Sequence, residues 1–276
     1  MRLHYTTLGS PSNPAVLVLH GTGGSGTGML SPAFGDELFG PGQPLDAGKY
    51  FIILPDALGH GKSSKPSDGM RTKFPLYNYD DMVQGQFRLL TEGLGVKHLR
   101  LVIGNSMGGM QTWMWGVQHP EFMDALVPMA SQPTEMSSRN WMMRRIVIDA
   151  IRNDPARNNG NYTSQPQAVR AANAYFGIVS NGGSQAYQKM APTRAAADKL
   201  LDARLAAPFT ADANDFPPLP VGFVTRLQPG AAAGAHSRAP ARHQLGGRRT
   251  QSARTGHHGA RTQATEEREV PSHSSQ

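Results

Sequence analysis

One serine in this chain lies in a context that favours nucleophilic chemistry. The segment from Leu99 to Met110 has the pattern of a short apolar strand, a turn of small residues and the start of a helix, with Ser106 in the turn. Gly104 and Gly108 are two positions before and after it. This spacing has a steric reason, because a nucleophile held in a strained strand-to-helix turn leaves no room for side chains at those positions. We predict that Ser106 is the nucleophile of an acyl-transfer site.

Acyl transfer by serine also needs oxyanion donors, a general base and an acid that orients the base. For the donors we predict the backbone N–H of Met107, directly after the serine, and that of Thr22, in a glycine-rich loop after an apolar strand. No Asp follows Asp215, and none of the five histidines after residue 216 follows a recognisable strand. The sequence therefore assigns no triad acid and no triad base. Glu135 could replace the acid, but it would have no histidine to orient.

The predicted elements alternate between strands and helices. We predict strands at 3–8, 15–20, 50–54, 99–103 and 124–130, and helices at 79–94, 107–118, 141–152 and 192–206. This alternation favours an α/β fold with a mostly parallel, doubly wound sheet that binds ligands at the carboxyl ends of its strands.

We expect three regions along the chain. Residues 1–131 are predicted to form the first part of the α/β core, and 132–215, too long for a connecting loop, a helical lid. Residues 216–276 are predicted to be a disordered tail, because the last 60 residues contain no Lys, Asp, Ile, Met, Trp or Tyr. On the amphipathic lid helix, three arginines are expected to be solvated. They are Arg139, Arg144 and Arg145.

Composition excludes several classes of site. The 276 residues include no cysteine, which excludes disulfides, a thiolate nucleophile and zinc–thiolate sites. The formal charge is +7, but residues 217–276 hold 8 Arg and 3 Glu and so carry +5 of it. We expect no nucleic-acid partner and no metal. With no apolar run long enough to span a bilayer and no visible signal peptide, we expect no membrane partner and a cytoplasmic protein.

Two other motifs have simpler explanations. Residues 21–26 fit the G-x-G-x-x-G pattern, but 27–35 contain Pro32 and would make a poor helix for a dinucleotide phosphate, so no cofactor is expected. His60 is expected to make a structural hydrogen bond in a loop. Four apolar residues at helical spacing are expected to pack in the core behind the turn. They are Met110, Trp113, Met114 and Val117.

Five segments together resemble the homoserine O-acetyltransferase-like branch of the α/β-hydrolase superfamily. They are residues 20–24, 39–46, 59–64, 104–111 and 148–155. The resemblance covers about residues 1–216, although 15–24 and 56–64 are also similar to plain esterases. It implies an α/β-hydrolase fold with Ser106 as nucleophile, the acid after the seventh strand and the histidine after the eighth. We expect these last two strands to be missing here.

A shift of reading frame near Phe216 would account for the missing residues. Codons can be chosen for 218–275 so that the neighbouring frame encodes an apolar strand (PLLAIN), an acidic loop (SADDE), an amphipathic helix and a further strand (KFLLIPA). This is the order that the resemblance requires next. The family's triad aspartate would be encoded opposite Arg248 in the lost frame, and the chain would stop before the histidine.

The sequence thus predicts a serine acyl-transfer enzyme that is inactive as written. Its partner would be a small-molecule ester or acyl donor, with acetyl-CoA as a possible co-substrate, and its acceptor either water or a small hydroxyl compound such as homoserine. We favour hydrolysis or broad acyl transfer, because the lid arginines are expected in solvent. The alternative is a truncated, non-catalytic remnant that binds a ligand. The oligomeric state stays open.

Overall fold

The computed structural model describes residues 1–180, 183–209 and 211–216, and the backbone of Val270–Pro271. Its strands are β1 (Arg2–Leu3), β2 (Tyr5–Leu8), β3 (Ala15–Leu19), β4 (Phe51–Pro55), β5 (Leu99–Asn105), β6 (Leu126–Met129) and β7 (Val270–Pro271). Its α-helices are α1 (Gly35–Leu38), α2 (Tyr79–Arg88), α3 (Met107–Gln118), α4 (Ser138–Arg152), α5 (Gln167–Ser180), α6 (Gly183–Met190) and α7 (Arg194–Ala206).

Five of the strands form one sheet in the order β2-β4-β3-β5-β6. β2 runs antiparallel to β4, and the pairs β4–β3, β3–β5 and β5–β6 are parallel. The predicted α/β class with a mostly parallel sheet is confirmed. Since the carboxyl ends of parallel strands meet at one edge, the segments after β3, β4, β5 and β6 share that edge.

Both faces of the sheet are covered, which explains the uninterrupted apolar runs of its central strands. Along β3, Leu17 and Leu19 belong to one core cluster, whereas Val16 and Val18 belong to another. The first cluster includes apolar side chains of α2 and α3, and the second includes Met29 and other residues between β3 and β4. These two clusters form the core that supports the edge.

The boundaries of one strand and one helix differ from the prediction. The predicted strand 3–8 is split at His4, whose N–H donates to Ser63 Oγ at 2.9 Å and whose Nδ1 lies 2.9 Å from Asp56 Oδ2. The predicted helix 79–94 is α-helical only to Arg88 and continues as a π-helical turn, Leu89–Gly93.

The buried face of α3 also differs from the prediction. Met114 is buried as expected, but Trp113 and Val117 are only half-buried, and Trp115 is fully buried instead. The Trp115 indole N–H donates to Gln86 Oε1 at 2.8 Å. Because its polar atom is satisfied inside the core, Trp115 can occupy the centre of this interface.

The lid helices have an apolar cluster of their own. It joins Val147 and Ile151 of α4, Val169 and Ala172 of α5, and the segment 213–216. Phe216 is buried in this cluster. The tail was predicted to begin at residue 216, so this residue was assigned to the tail wrongly. The other region boundaries stay predictions.

One lid arginine also contradicts its prediction. Arg139 and Arg145 are exposed as expected, but Arg144 is buried, with 5% of its surface accessible. It lies on the face of α4 that carries Met143 and Val147, so the helix turns this charge toward the protein interior.

The predicted disorder of the tail and the predicted loss of the last two strands lie outside the described residues. The backbone of β7 pairs antiparallel with β1 in a two-stranded sheet separate from the five-stranded one. Within the described part of the chain, β6 is an edge strand with β5 as its neighbour. No helix in this part combines the length and apolarity needed to cross a bilayer.

We predict that Trp115→Ala lowers the free energy of unfolding by about 3–5 kcal/mol, because it leaves a large cavity and removes the partner of Gln86. Urea denaturation followed by circular dichroism measures the change. Val117→Ala, on the half-buried side of the same helix, is the control and should cost about 1 kcal/mol. Equal losses for the two variants would contradict the placement of Trp115.

Candidate active site

Ser106 lies in the turn between β5 and α3, as the sequence predicts. Asn105 is the last residue of β5, Met107 is the first of α3, and Ser106 itself has φ 54° and ψ −110°. A non-glycine residue with positive φ is strained and needs support from its surroundings. Here the Ser106 N–H donates to the Met129 carbonyl at 2.9 Å, and its own carbonyl accepts the Met110 N–H at 3.0 Å. The half-buried side chain is therefore held at the carboxyl edge of the sheet.

The glycines around the turn are required by close backbone contacts. A Cβ atom on Gly108 would lie 2.2 Å from the Leu19 carbonyl oxygen, and one on Gly104 would lie 2.2 Å from the Gly108 carbonyl oxygen. A Cβ atom on Gly109 would lie 2.5 Å from the Met129 carbonyl oxygen. Since these neighbours are backbone atoms of β3, α3 and β6, they cannot move aside. The steric reason for the G-x-S-x-G spacing is confirmed.

The loop after β3 lies directly against the serine. A Cβ atom on Gly21 would be 3.5 Å from Ser106 Cβ, and the Gly24 N–H donates to the Gly21 carbonyl at 3.0 Å, which closes a tight turn. Thr22, in this turn, is half-buried, and its Oγ1 is buried without a hydrogen-bond partner among the described residues. Met107 begins α3, so its N–H has no partner within the helix. The convergence of the Thr22 and Met107 N–H groups on one oxyanion stays a prediction.

His20 holds this loop to the neighbouring one. Its Nε2 accepts the Ala57 N–H at 2.9 Å, so its Nδ1 carries the proton and donates to the Gly21 carbonyl at 2.8 Å. Burial lowers the pKa of His20 and keeps the ring neutral. Both ring nitrogens are occupied, so His20 positions the loop and has no free atom to take a proton from Ser106.

His60 has the structural role that was expected of it. Its Nδ1 donates to the Leu58 carbonyl at 3.0 Å, and its ring centroid lies 5.2 Å from that of His20. Burial, together with the neighbouring His20, lowers the pKa of His60 to about 3. The ring is a neutral, packed part of the loop after β4.

Asp56 ties these loops together, a role that the sequence reasoning missed. Its carboxylate accepts the Gly26 N–H at 2.6 Å and the Lys62 N–H at 2.8 Å, and it contacts His4 Nδ1. The residue is 2% exposed. An acidic residue directly after a fully apolar strand was the available signal, because a buried carboxylate needs several donors around it.

No base contacts the nucleophile within the described residues. Ser106 Oγ has no hydrogen bond to any of them, and Glu135 is exposed. The described part of the chain therefore brings the loop after β3 against Ser106, and the absence of a triad acid and base stays a prediction.

A cavity of about 440 Å³ lies away from the serine, between the turn Arg71–Lys73, the second half of α4 and residues 213–216. Ser106 is not among its lining residues. Asp215 closes one side by accepting the Ser67 N–H at 2.8 Å and the Ser67 hydroxyl at 2.5 Å. Burial raises the pKa of Asp215. These bonds hold the end of the lid to the loop after β4.

Comparison with known proteins identifies the family of this arrangement. A family model described as alpha/beta hydrolase fold matches residues 14–171, more than half of the chain. The chain belongs to the alpha/beta hydrolase fold family. This alpha/beta hydrolase is 34% identical over 195 residues to a homoserine O-acetyltransferase of Moorella thermoacetica, an alignment that covers 64% of this chain and 51% of the relative. The chain spans about half the length of the curated relatives it matches.

Solved structures give the same result for this alpha/beta hydrolase. The acetyl esterase MekB superposes with a TM-score of 0.64 at 28% identity, covering 77% of this chain and 64% of the esterase. A homoserine O-acetyltransferase from Bacillus anthracis superposes with a TM-score of 0.65 at 22% identity, covering 77% and 67%, and supports the fold. The resemblance inferred from five sequence segments is confirmed.

We predict that Gly108→Ala destabilises the folded protein by about 2–3 kcal/mol, because the new methyl group would overlap the Leu19 carbonyl. Gly116→Ala in the same helix is the matched control. Its methyl group would meet only the end of the flexible Leu126 side chain, and alanine favours the helix, so the change should stay within about 1 kcal/mol. Urea unfolding compares the two, and a tolerated Gly108→Ala would show that the turn is less crowded than described.

We predict a pH-dependent contribution of His60 to stability. Because its pKa is lower in the folded protein than in the unfolded chain, protonation favours unfolding, and stability falls as pH decreases from about 6.5 toward 3. His60→Gln lowers the free energy of unfolding by some amount at pH 7. This loss should be about 2 kcal/mol smaller at pH 5, because the parent protein is destabilised by protonation of His60 and the glutamine variant is not. Urea unfolding of the parent protein and of His60→Gln at both pH values measures this change. A cost independent of pH would contradict the neutral, buried state of His60.

Proposed function

We propose that this chain carries the nucleophile half of a serine acyl-transfer site, with Ser106 as the attacking residue. The observation that carries the proposal is the backbone of Ser106, held at φ 54° by glycine contacts at the junction of β5 and α3. Strain of this kind persists only where the surroundings impose it, and it aims the hydroxyl away from the helix that follows. Two of the relatives, a homoserine O-acetyltransferase and an acetyl esterase, are both named for acyl-transfer reactions.

In the proposed reaction, Ser106 Oγ attacks the carbonyl carbon of an ester or thioester while a base takes its proton. The carbonyl oxygen becomes an oxyanion, which accepts hydrogen bonds from the N–H groups of Met107 and Thr22. The alcohol or thiol then leaves with a proton, and the acyl group remains on Ser106. Water or a small hydroxyl compound completes the cycle by attacking the acyl-serine.

The chain as written should perform this reaction poorly. Ser106 Oγ has no basic partner among the described residues, and no apolar strand pattern in the sequence precedes any of the histidines after residue 216. We infer a frameshift near Phe216, because the neighbouring frame can encode the strand, acidic loop, helix and strand that the family needs next. Without triad residues, only the oxyanion hole and substrate binding accelerate the reaction. The expected rate enhancement over the reaction in water is then on the order of 10³–10⁴-fold.

Two acyl acceptors fit the proposal. Acetyl-CoA with homoserine would make the parent enzyme a transferase, whereas water would make it an ester hydrolase. Since most of the lid arginines are exposed, hydrolysis or broad acyl transfer is favoured over dedicated acetylation of an amino acid. The repaired protein can decide this by comparing ester cleavage with O-acetylhomoserine formation.

We predict that the chain as written cleaves 4-nitrophenyl acetate weakly. A version with the neighbouring frame restored after Phe216, extended to the length of the relatives, should be faster by several orders of magnitude in kcat/KM. Ser106→Ala in the restored protein should abolish the gain. Ser131→Ala, which removes a nearby hydroxyl that contacts the Gly109 region, is the control and should retain most of it.

Equal rates for the written and restored chains would show that another residue acts as base. Retention of the gain in Ser106→Ala would overturn the assignment of the nucleophile.

A further inference from the structure

Three arginines line the cavity between the lid and the loop after β4. Arg71 lies in that loop, Arg152 is the last residue of α4, and Arg157 lies in the turn Pro155–Gly160. None of the three forms an ion pair with a carboxylate among the residues that the structure describes. The loop and the lid are far apart in the sequence, so the fold itself brings these cations to one cavity.

The guanidinium groups of Arg71 and Arg157 both lie beside Gly160. Arg71 Nη1 donates to Asn161 Oδ1 at 2.6 Å, and Arg157 Nη2 donates to Asn214 Oδ1 at 3.4 Å. Asn161 follows Gly160 in the chain, and a Cβ atom on Gly160 would lie 2.6 Å from Asn214 Oδ1. Each guanidinium has five N–H donors, so both keep donors that these amide oxygens do not use.

The backbone is strained on two walls of this cavity. Arg71 has φ 49° and Asn159 has φ 50°, and both residues line the cavity. A non-glycine residue keeps a positive φ only where its surroundings impose it, and such residues cluster at functional sites, including those that clamp ligands. The strain indicates that the two walls are held in a fixed arrangement, which would let the cavity bind a ligand without rearranging.

The lining residues carry an excess of positive charge. Asp215 is the acidic residue among the described lining residues, and its carboxylate oxygens already accept the N–H and the hydroxyl of Ser67. Three arginines and one carboxylate give a net charge of +2 around the cavity. Arg157 Nε is buried and has no hydrogen-bond partner among the described residues. Because unpaired charge in a partly buried site is costly, an anion would be stabilised here.

Apolar side chains line much of the same cavity. Ile148, Ile151, Phe216 and Tyr77 are buried at its walls, and Leu76, which also lines it, is 74% exposed. The volume of about 440 Å³ is in the range of small-molecule pockets, roughly 300–1,000 Å³. A ligand that fits both parts of the lining has an anionic group and an apolar body.

We propose that this cavity binds a small phosphate monoester, with the phosphate at Arg71, Arg152 and Arg157 and the ester group against the apolar wall. A phosphate monoester carries about −1.5 to −2 charges at pH 7 and has three terminal oxygens. It would therefore balance the net charge of the lining and offer an acceptor to each guanidinium. Ser106 is not among the lining residues, so this ligand would bind in addition to the substrate of the proposed reaction.

Isothermal titration of the 276-residue chain with phenyl phosphate tests this proposal. Phenyl phosphate joins a phosphate monoester to an aromatic ring, whereas inorganic phosphate and phenol each supply one half of it. We expect phenyl phosphate to bind at least about 10-fold more tightly than inorganic phosphate, because the ring buries apolar surface. Phenol, which lacks the charge, should show no binding at about 1 mM.

Two arginines of α4 provide a matched pair of variants. Arg152 is exposed and makes no hydrogen bond to the described residues, so Arg152→Gln should leave the fold intact and weaken phenyl phosphate binding about 10-fold or more. Arg139, exposed on the same helix, does not line the cavity, and Arg139→Gln should leave the affinity unchanged. Arg157→Gln should weaken binding by a similar factor to Arg152→Gln, and Arg157→Lys, which keeps the charge and loses the planar fork, by less. Circular dichroism shows whether each variant is folded, and the pair Arg152→Gln and Arg139→Gln decides the question if Arg157→Gln does not fold.

Three outcomes would overturn the proposal. Phenyl phosphate might not bind at about 10 mM. Arg152→Gln and Arg139→Gln could have equal effects, which would show a general attraction of the basic chain for phosphate. Ser106→Ala should bind phenyl phosphate with the affinity of the parent, and a loss of binding in that variant would place the ligand at the serine instead of in this cavity.

Discussion

The crowding of backbone atoms where β5 turns into α3 is the constraint on which the site depends. β3, β6 and α3 approach this turn so closely that no side chain fits at Gly104, Gly108 or Gly109. That approach forces Ser106 into its positive φ and places its hydroxyl at the carboxyl edge of the sheet. The same crowding requires the parallel pairing of β3 with β5 and of β5 with β6, so the position of Ser106 depends on the topology of the sheet.

Buried polar groups hold the loops at the carboxyl edge of the sheet. Asp56 gathers N–H groups from two loops, and His20 bridges the loop after β3 to the loop after β4. Each buried donor or acceptor in this network that loses its partner would cost about 1–3 kcal/mol, so the loops are confined by hydrogen bonding as well as by packing. The neutral state of His20 and His60 follows from that confinement, because neither ring has solvent to stabilise a charge.

Features set by local chain geometry were predictable from the sequence. The turn at Ser106, the full extent of α3 and the two central strands each follow from a few adjacent residues. Features set by contacts between distant residues were not. Trp115 enters the core because Gln86, on another helix, accepts its N–H, and Arg144 is buried where α5 places the ring of Phe176 against its guanidinium. An amphipathic pattern on α4 places Arg144 near the boundary of the buried face, but the packing of α5 against α4 decides whether its side chain is buried or exposed.

This division between local and distant determinants also bears on the proposal that the chain carries half of an acyl-transfer site. Ser106 and the predicted oxyanion loop are positioned by β3, β5 and α3, whose residues lie within the matched segment 14–171. The base and the acid of a triad come from strands that the family places later in the chain, and they reach Ser106 only through the assembled sheet. A change of reading frame after Phe216 would therefore remove proton transfer and leave the strained turn, the loop network and the lid in place.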